Sequence, residues 1–316
     1  MKKIFVLAAF AVAFADVQAC DVCGCSANGY SLGIVPKLNN HFVGVKHQYR
    51  TFKSEHPVLF ADEVAEVSTE QFHTTEFWGR YNPHKRVQLY GFVPYNYYLK
   101  TESGKKTSVA GLGDISLLAN YVAFQTPDSS VSLIRHNLLL GGGLKLPPGK
   151  HNANAVKAEP LNPNMQPGTG SVDFIANANY TLRYRNWGLS SDAAYRYNLA
   201  NAAGYRFGNR VNSGVRAFYW RDLLYLQGVL LPQVGVAHEF AQKDYLNQDT
   251  KEVNDFSGGH ILSLSGGIDF FTTKYSVSFS YSHPVWQNVA DGYVSNQSRV
   301  TAGVNFLIDS SKTVKK

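Results

Sequence analysis

Three cysteines stand within six residues, Cys20-Asp21-Val22-Cys23-Gly24-Cys25, and the 316-residue chain has no others. Thiolates this close can converge on one soft ion, Cu(I) or Zn(II), with a fourth ligand from water, a partner, or His41 or His47. Other chemistries compete: lipid attachment at Cys20 behind a cleaved leader, a disulfide from Cys20 to Cys23 or Cys25, or plain reactive thiols. Gln18 fits a lipid-attachment site poorly, a direct Cys23–Cys25 ring is strained, and an odd count makes no disulfide framework.

A second group with chemical potential is charged. Asp114, Asp173, Arg183, Asp192, Arg196, Arg216 and Asp269, with Lys46, Arg50 and Arg80, fall on the polar side of segments that alternate apolar and polar residues. If that side encloses a lumen, its field selects anions or small polar solutes; alternatively the charges pair and fill it. Asp114 and Asp173 each open a strand segment. They form either a carboxylate pair that binds a cation or gates a mouth, or turn caps through side-chain hydrogen bonds to nearby backbone. The ten histidines are dispersed, and His136, His151, His238, His260 and His283 read as loop or interface residues. No nucleophile-elbow pattern or paired base accompanies the serines, so the chain reads as a non-enzyme. A lipid hydrolase with a Ser and a His at a lipid-facing rim is the enzymatic alternative.

The elements that carry these residues alternate with period two, which puts successive side chains on opposite faces of a strand. Tyr275, Val277, Phe279 and Tyr281 point one way and Ser276, Ser278, Ser280 and Ser282 the other. The same pattern marks residues 172–184, 187–199 and 300–308, and weaker versions occupy 43–49, 72–81, 87–99, 114–124, 132–146, 211–220, 225–238 and 260–270. Long connections (52–70, 100–113, 147–170, 201–210, 241–258, 284–297) alternate with short ones (82–85, 126–129, 185–186, 221–223, 272–273). Short periplasmic turns and long external loops characterise outer-membrane barrels. The expected fold is therefore an all-β, closed antiparallel transmembrane barrel of about twelve strands with both termini periplasmic. Aromatic residues near the short turns (Tyr81, Tyr184, Trp187, Tyr219, Phe270, Tyr275) and near the long loops (Tyr97, Tyr197, Tyr281) suit headgroup depth.

Residues 1–19 read as an export signal, with Lys2 and Lys3 before an apolar core and small residues Val17 and Ala19 before Cys20. Residues 20–40 form the cysteine segment, which enters the barrel as a plug or trails below it; 41–308 form the barrel and 309–316 a polar tail. No later stretch approaches the ~18 apolar residues of a membrane helix. The net charge of +7 is scattered along an exported chain, which argues against nucleic acid and for lumen selectivity or contact with lipopolysaccharide. Expected partners are thus the lipid bilayer with its lipopolysaccharide, a small solute, and a periplasmic protein. No cofactor is required; Cu(I) or Zn(II) at Cys20, Cys23 and Cys25 is the optional one.

Two motifs carry a family resemblance: Gly111-Leu112-Gly113-Asp114-Ile115, and Leu144-Lys145-Leu146-Pro147-Pro148-Gly149 followed by Gln166-Pro167-Gly168-Thr169-Gly170-Ser171-Val172-Asp173. In this order they resemble the outer-membrane barrels named for the meta-pathway of phenol degradation, akin in style to fatty-acid and aromatic-hydrocarbon porins. The cysteine run resembles starts of exported barrel proteins from the Bacteroidetes. The polar tail after Ile308 departs from the terminal aromatic of many barrels. The resemblance implies an outer-membrane channel or transporter passing a small solute, hydrophobic, aromatic or metal-related. The alternative from the residues themselves is a metal-handling protein that the barrel anchors.

Overall fold

The computed structural model describes residues 40–55, 67–127, 132–151 and 165–308. The export signal, the three cysteines and the polar tail lie outside them. The strands are β1 (His41–Glu55), β2 (Val67–His84), β3 (Val87–Glu102), β4 (Lys105–Leu112), β5 (Ile115–Gln125), β6 (Ile134–Leu146), β7 (Asp173–Tyr184) and β8 (Trp187–Asn198). There follow β9 (Arg210–Tyr219), β10 (Arg221–Leu223), β11 (Gly228–Ala241), β12 (Tyr245–Asn247), β13 (Glu252–Val253), β14 (Gly259–Phe271), β15 (Tyr275–Val289) and β16 (Val294–Ile308). β4 and β5 are two halves of one course, since both pair with β3, and β10 prolongs β9. β12 and β13 form a separate hairpin within a loop.

Among the described residues the sheet makes twelve antiparallel courses and closes on itself. β1 pairs with β16 from His41 opposite Ile308, and β9 pairs with β11. Closure pairs the spanning courses on both sides, the condition for backbone to cross hydrocarbon; β4, whose outer edge pairs with no described strand, lies beyond them toward the loop rim. Even β9, at 10 residues, meets the roughly 9–11 that a tilted membrane strand needs. Both ends of the described chain lie at the rim of short connections, here the turn rim; the opposite end is the loop rim.

The alternation decides which face is which. Tyr275, Val277, Phe279 and Tyr281 are 41–50% exposed on the outer wall, whereas Ser276 is 4% exposed inside. Tyr81, Tyr184, Trp187 and Tyr275 ring the outer wall near the turn rim, and Tyr97, Tyr197 and Tyr281 nearer the loop rim, giving the two aromatic girdles of a membrane barrel. Phe279→Arg, deeper along this wall, is expected to cost about 2–4 kcal/mol. Val253→Arg, in the loop hairpin, should change stability by no more than about 0.5 kcal/mol. Urea unfolding in lipid vesicles checks the pair, and equal costs at the two positions would contradict a lipid-facing wall.

Three connections differ from the sequence expectation. Residues 100–113 form no long loop, because β3 and β4 continue as a hairpin turning at Ser103 and Gly104. Lys105, Lys106, Thr107 and Ser108 are polar on both faces, so no apolar period marks the strand above the membrane. Residues 284–297 are likewise mostly strand, with β15 and β16 turning at residues 290–292. Pro284 sits where the register of β14 and β15 shifts, a bulge that tolerates a residue without an amide donor. The turn expected at 221–223 falls instead at 224–227, leaving Tyr225 97% exposed at its tip.

Candidate functional site: the lumen and its closure

The lumen divides into a filled half and an open one. On the inner wall of β1 to β7, Phe42, Tyr90, Phe92, Leu118, Val122, Leu139 and Ile175 form one apolar cluster, with Trp78 and Leu307 packed against it. Beside it, on the inner faces of β8 to β2 by way of the closing seam, lies a cavity of about 270 Å³. Its wall is rich in serine and glycine, including Ser265, Gly267, Ser276, Ser278 and Ser280. Small inward residues keep space that a filled eight-stranded barrel lacks.

Above the cavity runs a belt of charge. Glu239 of β11 holds both Arg50 of β1, at 3.0 Å, and Arg299 of β16. Arg50 Nε also donates to Asn296 Oδ1 at 3.3 Å. Lower down, Lys46 pairs with Glu76 at 2.7 Å and Arg216 with Asp192, while Asp269 accepts from Gln233 Nε2 at 2.8 Å.

Toward the loop rim the lumen is closed by an apolar plug. Phe52, Phe72, Tyr98, Ile261, Val289 and Val294 point inward from the barrel strands, and Met165, from the connection between β6 and β7, seats among them at 3% exposure. An open mouth would leave such inward side chains wet. Instead Phe52, Ile261 and Val289 are 0% exposed.

Met165 begins the described segment 165–171, here the strap, which is tied to the inner wall at the loop rim. Asp114, released inward by the break between β4 and β5, faces Lys145 of β6 and Asp173 of β7. Lys145 Nζ lies 2.7 Å from Asp114 Oδ2 and 2.7 Å from Asp173 Oδ2, and it also donates to Thr169 Oγ1 on the strap. Asp114 Oδ2 accepts from the Thr169 amide at 3.0 Å and its hydroxyl at 2.6 Å. Ser171 donates to Asp173 Oδ1 at 2.9 Å, Asn96 to the Pro167 carbonyl at 2.9 Å, and Asn201 to the Thr169 carbonyl at 3.1 Å. The glycines of the two sequence motifs have a steric reason here. A Cβ on Gly149 would stand 2.5 Å from Asp114 Oδ1, and one on Gly168 would stand 2.6 Å from the Gly149 carbonyl carbon.

His151 and Asp244 carry the titratable chemistry of the loops. Burial pushes the His151 imidazole below its ordinary 6.5, against the pull of Asp114 and the bonds to Gln166 and Gly168. Burial pushes the Asp244 carboxyl up, against Arg210 and the hydrogen bonds from Tyr205 and Gly208. For His151 the lowered folded value means that its contribution to stability is complete above 6.5 and is lost as pH falls through the lowered value. His151→Gln should therefore flatten the pH dependence of stability below 6.5. Urea unfolding in lipid vesicles over a series of pH values checks this, and an unchanged profile refutes it.

The candidates that the sequence singled out thus separate. Asp114 and Asp173 neither face an open mouth nor cap their own turns; they share a lysine, because the β4–β5 break and the strap bring Lys145 between them. Asp192 and Arg216 pair, and Arg196 is buried inside at 8% exposure. Arg183 lies over the Trp220 ring at 4.2 Å near the turn rim. His136 meets the Tyr180 hydroxyl at 2.6 Å, with the Phe124 ring edge-on, so its partner is a phenol rather than a serine. Cys20, Cys23 and Cys25 lie outside the described residues. Reading the sequence missed Lys145, Glu239, Arg299 and Met165. For Lys145 the signal was present, a lone lysine on the inward face of a strand of leucines and glycines.

A closed twelve-course sheet with an apolar outer wall, two aromatic girdles and a polar interior defines an outer-membrane β-barrel of the Gram-negative type. No protein-family model and no curated protein matches the sequence. Among solved structures it is similar to an outer membrane channel from Pseudomonas putida F1, at 13% identity over 87% of this chain and 97% of that one, with a TM-score of 0.62. Likeness to the β-domain of the Bordetella autotransporter BrkA is looser (11% identity, 84% and 98% covered, TM-score 0.45). Looser still is that to a Pseudomonas aeruginosa FadL homologue (10%, 85% and 89%, TM-score 0.36).

Proposed function

We propose that this barrel is a passive outer-membrane channel for a small solute, shut at the loop rim by its strap and opened by the strap's release. The observation that carries the reading is a lumen with a cavity beneath a tied, apolar plug: a scaffold that only anchored another domain needs neither. The likeness to a channel over nearly that protein's whole length supports it; so does the resemblance of the two glycine motifs to the phenol-degradation type of barrel, since here they contribute to the strap and its ties.

In this reading the loop rim faces outward and the turn rim the periplasm, because long loops of such barrels are external. The outer wall agrees. Lys106, Thr101, Thr69 and Lys53 face each other across β4, β3, β2 and β1 just above the loop-side girdle, suited to the phosphates of lipopolysaccharide.

Planar-bilayer recording tests the proposal. Wild type is expected to show rare, brief openings and a strap-disrupted variant sustained conductance. A properly folded barrel silent in both forms overturns it.

A further inference from the structure

We infer that the lumenal cavity is a binding site for an uncharged, hydroxyl-rich solute of monosaccharide size or smaller; this rests on the channel reading and names its substrate class. The first ground is electrostatic. Lys46, Arg216 and Arg299 line the cavity against Glu76, Asp192 and Asp269, three cations and three carboxylates. Each is engaged: Lys46 with Glu76, Arg216 with Asp192, Arg299 with Glu239, and Asp269 with Gln233. Glu239 and Arg50, just beyond, cancel as well. The positive balance of the whole chain therefore does not reach this site. An entering ion would have to compete with formed pairs while losing its own hydration.

The second ground is the hydroxyl wall. Ser278, Ser280 and Ser282 of β15 and Thr301 of β16 line the cavity, and none of their hydroxyls bonds to another described residue. Ser280 and Thr301 stand directly opposite each other across the two strands. The flanking partners are bare: Gly303 faces Ser278 and Gly267 faces Ser280. No side chain from those positions covers the hydroxyls. Each hydroxyl can donate once and accept twice, so together they offer a mixed donor and acceptor surface. That matches a ligand whose own hydroxyls do both, and Phe42 and Trp78 of the same wall are placed to meet the C–H face of such a ligand.

The third ground is size. About 270 Å³ is below the usual range of drug-sized pockets, which start near 300 Å³.

The test uses the full chain in a sugar-free zwitterionic detergent, with binding read by saturation-transfer NMR. The probes are glucose and glycerol as neutral solutes, with benzoate and arginine as charged ones. Glucose and glycerol are expected to bind with Kd on the order of 1 mM, as few weak contacts allow, and the charged probes at least tenfold more weakly. Ser280→Leu fills the cavity and should abolish glucose binding. The triple change Ser278→Ala, Ser280→Ala, Thr301→Val keeps the space but removes the hydroxyls, and should weaken binding about tenfold or more. Folding of each variant is confirmed by its heat-modifiable gel mobility. Equal binding of benzoate or arginine, or glucose binding untouched by the triple change, overturns the inference. Conductance without glucose binding overturns this inference and leaves the channel standing; glucose binding without conductance does the reverse.

Discussion

Met165→Asp is expected to convert the barrel from mostly closed to mostly open. In the closed state Met165 sits among Phe52, Phe72, Tyr98 and Ile261, where a carboxylate would find no partner. Removing the thioether alone, as in Met165→Ala, forfeits about 2–5 kcal/mol of packing, if all of it is packing specific to the closed state. At 1.4 kcal/mol per factor of ten, that shifts the closed-to-open ratio by about 30-fold or more. Aspartate adds its desolvation cost to the same side of the balance. Open probability in planar bilayers measures the effect. Barrel stability should change little, because Met165 contributes no strand pairing and the sheet closes without it. Wild-type gating in both variants would show that the plug does not close the channel.

Lys145→Met should produce the largest loss of stability. The side chain holds two buried carboxylates, at 2.7 Å each, and removing it leaves Asp114 and Asp173 facing each other with no cation between them. Breaking a buried pair in this way costs about 3–5 kcal/mol. Asp114→Asn and Asp173→Asn should each cost less, since one carboxylate still pairs with the ammonium. Adding Asp114→Asn to Lys145→Met should recover part of the loss, and that recovery distinguishes charge imbalance from lost packing. Urea unfolding in vesicles gives the stabilities. Because Thr169 and the strap hang on the same network, Lys145→Met should also raise open probability. A Lys145→Met barrel that unfolds at the wild-type midpoint and stays shut contradicts both roles.

How much of this could be read from residues alone follows from what a strand sequence encodes. The Tyr275 to Ser282 stretch states its own faces, because lipid and water impose opposite demands on neighbouring side chains. The β3–β4 hairpin could not be read so. Above the membrane both faces are wet, and the alternation that marks a strand disappears. The inward charges were legible as inward, since they sit on the polar side of alternating runs. Their partners were not. Glu239 meets Arg50 and Arg299 only because the closed, curved wall lets side chains of β11, β16 and β1, with β14 and β15 between them, reach one another through the lumen, at sequence separations that no local pattern spans.

The chain by itself thus determined that it would be a barrel, which residues face lipid, and where the long connections gather, because each of these depends on the local alternation of side chains. The tertiary structure decided that the lumen is half filled, that the charges around its cavity cancel, and that Met165 packs among the inward aromatics at the loop rim. Those outcomes require residues distant in sequence to meet inside a ring, and only closure of the sheet sets which ones meet.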